Sequence, residues 1–243
     1  MSSPRRADVC AVAIAECFRG DGEIVANPIG TIPRIGGLLA RLTFEPDLVM
    51  TDGEAMFTDR SGAIESWNPY RSMFDVVWSG RRHVIMGGSQ IDVFGNQNFA
   101  AIGDMVRPRV QLLGFRGAPG NTVNNVTSYW VPNHSPRVFV ERVDVVSGVG
   151  YERALAAGPA ASRYHELRYV VSDLAVLDFQ TADHRMRLRS VHPGVSAEDV
   201  KRATGFDLQL ASDLAETRLP TSDELEWLRR IDPDGERYRE VDG

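Results

Sequence analysis

A chain of 243 residues, 43% hydrophobic and 25% charged, is long enough to bury a full core as one domain over residues 1–243. Its net charge of −6 and pI near 5.4 argue against a nucleic-acid backbone as partner, which would favour a basic face. Cys10 and Cys17 would sit roughly 10 Å apart along a helix, too far for a disulfide, and the five histidines lack the paired spacing of a metal site.

Taken in chain order, residues 9–15 behind Arg5-Arg6 have the outline of a secretion signal, but Asp8 and Glu16 bracket the apolar run and hold it at the short limit. The same residues make a first helix with Cys10, Ala13, Ile14 and Cys17 on one side. Reduced core cysteines point to the cytoplasm, and no apolar run approaches the length of a membrane span. A strand is expected over 23–26, then a loop over 27–33. A helix follows with Ile35, Leu38, Leu39 and Leu42 on one face, entered through Thr31 and Pro33. A buried strand at 48–50 leads into Thr51-Asp52-Gly53-Glu54-Ala55. Residues 53–80, with Trp67 and Trp78, read as an irregular insertion, and Arg81-Arg82 as a solvated pair.

Apolar runs at 84–86 and 110–113 each read as a buried strand ending in a glycine loop, residues 87–98 and 114–118. Further strands are expected at 138–140 and 143–146, and a surface excursion at 153–162. A meander is expected over 169–171, 174–179 and 186–191, with Arg187 and Arg189 facing solvent. Ser196 with Asp199 and Thr221 with Glu224 look like capping pairs opening two final helices, the first ended by Gly205. Together these elements predict an α/β fold: an open, largely parallel sheet with flanking helices and antiparallel strands added in the C-terminal half.

The chemistry is carried by loops at strand ends, since the common hydrolase, phosphate-loop, zincin and dinucleotide motifs are missing. Asp52 and Glu54 flank Gly53 where ligands bind parallel sheets, and either is a candidate base or nucleophile; the alternative is a turn held by Asp52. In 87–98, Gly87 and Gly88 would let a ligand approach the main chain while Gln90, Asp92, Asn96 and Asn98 line it. The alternative there is a Gly-Asn hairpin capped by Asp92. Gly114, Phe115, Arg116, Gly117 and Ala118 form the second loop. Gly117 would aim N–H groups at an oxyanion, and Arg116 would hold a carboxylate or phosphate, against the alternatives of a plain turn and an exposed arginine.

The stretch GGSQIDVFGNQN (87–98), Ile102-Gly103-Asp104, GFRGA (114–118), RVFVERVD (137–144), TGFDL (204–208) and Ile231-Asp232-Pro233 resemble the β subunit of the glutaconate-type CoA-transferase family over nearly the whole chain. The resemblance implies a CoA-transferase/NagB-like fold, a homologous α subunit in an α2β2 heterotetramer, a CoA-thioester substrate, and no cofactor beyond that CoA. It places the family's covalent carrier glutamate at Gly53 without a gap, or at Asp52 or Glu54 after a one-residue shift. Arg116 replaces the middle glycine of the family's GxGGA loop. Both departures are similar to a branch of the family that hydrolytically opens the last ring of cholesterol, carried as a CoA thioester. In that branch the main acid–base group is expected on the α subunit.

Overall fold

The protein is described by a computed structural model covering residues 3–53, 56–69, 72, 75 and 82–241. Its first half builds α1 (Arg6–Cys17), β1 (Val25–Pro28), α2 (Thr31–Thr43), β2 (Val49–Met50), β3 (Met56–Thr58), β4 (Ile64–Trp67) and β5 (Arg82–Met86). Four short strands follow: β6 (Gln90–Ile91), β7 (Gln97–Asn98), β8 (Ala101–Ile102) and β9 (Val110–Gln111). Then come α3 (Ala118–Asn124), β10 (Val126–Val131), α4 (Tyr151–Ala156), α5 (Pro159–Ser162), β11 (Glu166–Ser172), β12 (Ala175–Asp178) and β13 (Arg187–Val191). The chain closes with α6 (Ala197–Arg202), β14 (Gln209–Glu216), α7 (Ser222–Ile231) and α8 (Arg237–Glu240).

Eight strands form one sheet in the order β14-β13-β12-β11-β10-β5-β1-β2. From β2 to β11 all pairings are parallel, β11-β12-β13 is an antiparallel meander, and β14 returns parallel to β13. The predicted architecture is the one observed. Its physical basis is clearest in β5, whose five residues are all buried. Ile85 faces the layer of α1 and α2, whereas Val84 and Met86 face the opposite core with Tyr129 and Phe139. A strand covered on both faces reads as an unbroken apolar run.

Several elements differ from expectation. α1 is buried on nearly every side, not one, because the sheet, α2 and the C-terminal helices enclose it. Its Asp8 accepts hydrogen bonds from Arg237 Nε at 2.8 Å and Tyr238 Oη at 2.9 Å, and Arg237 also binds Asp232 at 2.7 Å. The strand expected at 23–26 forms at Val25–Pro28, and Gly30, at φ 120°, precedes α2 in place of a Thr31 cap. The central strand β10 carries no predicted counterpart, although VTSYWV is rich in β-branched and aromatic residues. Residues 138–140 and 143–146 contribute an isolated bridge, Ile91 to Phe139, and no strand.

The 53–80 insertion contains the β3–β4 hairpin; Trp78 and Arg81 lie outside the described residues. Arg82 is buried, not solvated, and its Nη1 donates to Asn121 Oδ1 at 3.0 Å. Burial pushes its guanidinium down to about 10. Residues 153–162 fall in two short helices, and α6 stops at Arg202, before Gly205. The capping pairs Ser196/Asp199 and Thr221/Glu224 both form. Both cysteines are free and buried. Among the described residues, no helix is long and apolar enough to cross a membrane.

Candidate active site

Loops at the C-terminal ends of β1, β2 and β5 make a rim of the kind where parallel sheets bind ligands. The segment after β2 is clamped from below. Asn27 Nδ2 donates to Gly53 O at 2.9 Å, Thr51 Oγ1 donates to Asn27 Oδ1 at 3.0 Å, and the Gly53 N–H donates to Thr51 Oγ1 at 3.2 Å. Gly53 itself sits at φ 98°, and a Cβ placed there would lie 2.7 Å from Pro28 O. Only glycine suits that backbone. Asp52 is exposed in a turn: its Oδ1 accepts from the Met56 N–H at 3.1 Å, and its own N–H donates to Met56 O at 2.9 Å. Its geometry is that of the turn alternative. Glu54 lies outside the described residues.

The loop after β5 turns its polar side chains inward. β6 and β7 pair antiparallel, Gln90 with Asn98 and Ile91 with Gln97, through a turn in which Gly95 takes φ 82°. Asp92 accepts from the Phe94 and Asn96 N–H groups at 3.1 and 3.0 Å, and both its oxygens accept from Asn96 Nδ2. That amide also reaches Glu152 Oε1 at 2.8 Å, while Asn96 Oδ1 accepts from the Gly150 N–H. Gln90 Oε1 accepts from Asn98 Nδ2 at 2.8 Å and from the Asp144 N–H at 3.0 Å. Gln90, Asn96 and Asn98 thus spend amide hydrogen bonds on the loop itself, each side chain bonded to a neighbouring one. Burial raises the Asp92 carboxyl to about 6, against the hydrogen bonds that favour its ionised form.

Gly88 is tight against Ile91 and Gln97, at 3.0 and 3.1 Å from a Cβ placed there, whereas Gly87 has room for one. The Gly87 carbonyl accepts from Gln97 Nε2 at 2.6 Å. The second loop leaves a different kind of strand from the one expected. β9 is two residues long, exposed, and paired with β8 in a hairpin apart from the main sheet. Residues 110–113 are not a buried strand because Val110 and Leu113 point to solvent. Gly114 takes φ 90° and Arg116 takes φ 50°, one of two non-glycine residues in the left-handed region among the described residues. Phe115, Arg116 and Gly117 are exposed, and Ala118 is buried at the start of α3.

Asn121 ties the second loop to the first. Its N–H donates to Gly117 O at 2.9 Å, its Nδ2 would lie 3.4 Å from a Cβ on Gly117, and the same amide approaches Met86 Sδ at 3.9 Å. Met86 immediately precedes Gly87, so the two glycine segments share this junction. Asp144 makes a second tie, with its Oδ2 receiving the Gly103 N–H at 2.8 Å and Gln90 Nε2 at 3.3 Å. Sequence reasoning missed Asn27, Thr51, Asn121 and Asp144. For Asn27 and Thr51 the available signal was a polar residue ending an apolar run.

Two other clusters are not this site. Ser128 Oγ lies 3.0 Å from His83 Nε2, and His83 Nδ1 lies 2.6 Å from Asp21 Oδ2, the order of a Ser-His-Asp triad. Ser128 and His83 are fully buried, burial lowers the imidazole's pKa, and Arg168 binds Asp21 at 2.7 Å. A nucleophile sealed in the core meets no substrate. A cavity of about 640 Å³ beside the end of α1 is lined by Glu16, Asp21, Arg168 and Arg218 among others, and by no residue of the glycine loops. Two of its arginines are paired with its acids, Arg168 with Asp21 and Arg218 with Glu16. Among the described residues, no group of three His, Cys, Asp or Glu side chains is arranged to hold a metal.

The backbone and sequence can be set beside known proteins. No protein-family model matches the sequence. A Rhodococcus jostii protein, the cholesterol ring-cleaving hydrolase IpdB subunit, is 52% identical over 97% of this chain and 96% of its own length. The chain belongs to the IpdB subunit family. Its backbone matches the crystal structure of Rhodococcus jostii IpdAB with a TM-score of 0.94, 51% identity and full coverage of both chains. Glutaconate CoA-transferase from Acidaminococcus fermentans matches at TM-score 0.83 and 25% identity, over 95% of this chain and 96% of that one. The IpdB family thus shares its scaffold with a transferase.

Proposed function

We propose that this chain is the β subunit of a heteromeric, cytoplasmic CoA-thioester hydrolase that opens the last steroid ring by retro-Claisen hydrolysis of a carbon–carbon bond. It works as one domain with a homologous α subunit in an α2β2 assembly and needs no cofactor beyond the CoA of its substrate. The observation that carries this reading is Gly53. A transferase needs a carboxylate at one defined point to carry acyl and then CoA. Aligned without a gap, that point falls at Gly53, a left-handed glycine packed on Pro28 O with no space for a side chain. Water takes the carrier's place.

The step balances simply. Hydroxide adds to the ketone carbon β to the thioester, the bond between that carbon and the α carbon breaks, and its electron pair enters the thioester as an enolate. A proton returns to the α carbon, leaving a new carboxylate. The developing enolate oxygen needs donors fixed in advance. Peptide N–H groups of Gly87, Gly88, Phe115, Arg116 and Gly117 are the ones this chain offers, since those of Gly114 and Ala118 donate to Phe99 O and Phe115 O, and the main acid–base group belongs to the α subunit. Arg116 is assigned to a carboxylate or phosphate of the substrate through paired hydrogen bonds.

The second reading is a transferase using Asp52 or Glu54 as carrier, favoured by the glutaconate CoA-transferase likeness. Borohydride or hydroxylamine trapping of the α–β complex after incubation with an acyl-CoA separates the two. The hydrolase leaves this chain unmodified and incorporates oxygen from labelled water into the product. A CoA or acyl adduct on this chain establishes the transferase instead.

A further inference from the structure

The rim is flanked by a projection whose side chains face outward while its main chain is pinned. Residues 103–117 leave the β8–β9 hairpin, in which Ala101 pairs with Gln111 and Ile102 with Val110. The Arg109 N–H donates to Ile102 O at 2.8 Å, that of Leu112 to Ala100 O at 3.1 Å, and that of Gly114 to Phe99 O at 3.1 Å. Asp104 Oδ1 accepts from the Val106 and Arg107 N–H groups at 2.8 and 3.1 Å. From this fixed backbone Met105, Val106, Val110, Leu113 and Phe115 stand in solvent, Val106 86% and Leu113 73% exposed. Five large apolar side chains left exposed on one pinned segment mark it as a candidate interface.

Charge narrows the occupant. The segment holds Arg107, Arg109 and Arg116 against one carboxylate, Asp104, which its own backbone already engages, on a chain whose net charge is −6. Two copies of the same segment would set like charges together, which disfavours a dimer of this chain through it. The projection also runs directly into Gly114, Arg116 and Gly117, so whatever covers it reaches the edge of the candidate site. We infer that residues 103–117 are the docking element for the α subunit, seated in an apolar groove of that subunit rimmed by carboxylates. This rests on the heteromeric reading above.

The test is co-expression of this chain with a tagged α subunit, followed by sedimentation at low and high salt. Val106→Asp with Leu113→Asp should weaken assembly roughly 100-fold, as loss of buried anchors does. Arg107→Glu with Arg109→Glu should weaken it at least about 10-fold and flatten its salt dependence. Melting temperatures of the isolated variant chains should match the wild type, since the altered side chains are exposed. Hydrogen exchange on the unaltered complex gives a second readout: amides of 103–117 gain protection on assembly, and the exposed strand β14 does not. Assembly unchanged by both double variants overturns the inference. So does intact assembly with a raised KM for the CoA thioester, which would make the segment substrate surface, or a homodimer of this chain broken by the same variants. A complex that assembles through 103–117 but cleaves no ring thioester sinks the proposed function and leaves the docking assignment standing.

Discussion

Residues 87–98 and 103–117 lie side by side in sequence, and both carry glycines, yet they solve opposite problems. In the first, Gln90, Asp92, Asn96 and Asn98 are buried and bonded to one another, so the polar residues make a frame. In the second, backbone bonds make the frame and the side chains are left outside. A polar motif at a strand end is therefore not by itself a binding motif.

Asn96→Ala attacks the frame at its centre. It removes bonds to both Asp92 oxygens, to Glu152 and from Gly150, and leaves the buried Asp92 carboxylate with main-chain donors alone. The expected loss is roughly 3–5 kcal/mol in urea unfolding. A loss below about 1 kcal/mol, the net worth of a single ordinary hydrogen bond, would show that the loop does not depend on this network. The paired change in the projection, Leu113→Ala, should cost the isolated chain less than about 0.5 kcal/mol.

Gly53→Glu tests the rim. The left-handed backbone costs a side chain roughly 1–2 kcal/mol, and displacing Pro28 O roughly 1–3 more. We expect a loss of about 2–5 kcal/mol and no covalent CoA adduct by mass spectrometry. A stable, acylated variant would mean that the rim still accepts a carrier.

How much of this was legible in the sequence depends on what each residue answers to. The parallel strands β2 and β5 and the meander β11-β12-β13 follow from local apolar pattern, and that pattern is what the sheet buries. β10 was missed because Thr127 and Ser128 interrupt its apolar run, with Thr127 bonded to backbone carbonyls and Ser128 facing His83. Residues 110–113 misled for the opposite reason: Val110 and Leu113 are apolar yet uncovered in this chain. Gly53 was visible as a departure from a carrier glutamate. Its φ of 98° and its Pro28 contact were not visible, because they depend on β1 lying beside β2.

Acid sharpens the comparison further, because the frame holds a displaced carboxyl. Asp92 is raised to about 6 when folded, above the ordinary unfolded value of about 3.9. The folded state then binds the proton more tightly, so this group opposes folding at neutral pH and ceases to do so as pH falls from about 6 toward 4. His134 and His192 act with the other sign. Burial holds them at about 3 and about 4, so below about 6.5 the unfolded chain takes up protons first and stability falls with pH. Each contributes a slope of about 1.4 kcal/mol per pH unit in its window. Wild type should therefore lose stability on going from pH 7 to pH 5, while the difference between wild type and Asp92→Asn moves in favour of wild type. If that difference is flat between pH 7 and 4, Asp92 is not displaced.

The smallest expected change lies in the projection, at Arg116. A non-glycine residue at φ 50° costs roughly 1–2 kcal/mol. Arg116→Gly relieves that strain but adds roughly 0.5–1 kcal/mol of backbone entropy to the unfolded chain. The variant should come out about 0.5 kcal/mol more stable by thermal unfolding. A charge-assisted hydrogen bond is worth roughly 1.5–3 kcal/mol, so the same change should lower kcat/KM for a carboxylate-bearing CoA thioester roughly 10- to 100-fold. Arg116→Ala keeps the strain and loses the charge, so it should show the same fall in kcat/KM with no gain in stability. Stability and turnover moving in opposite directions at one residue is the signature of strain kept for function. If both variants retain full turnover, Arg116 does not hold the substrate, and the strain at that position has another cause.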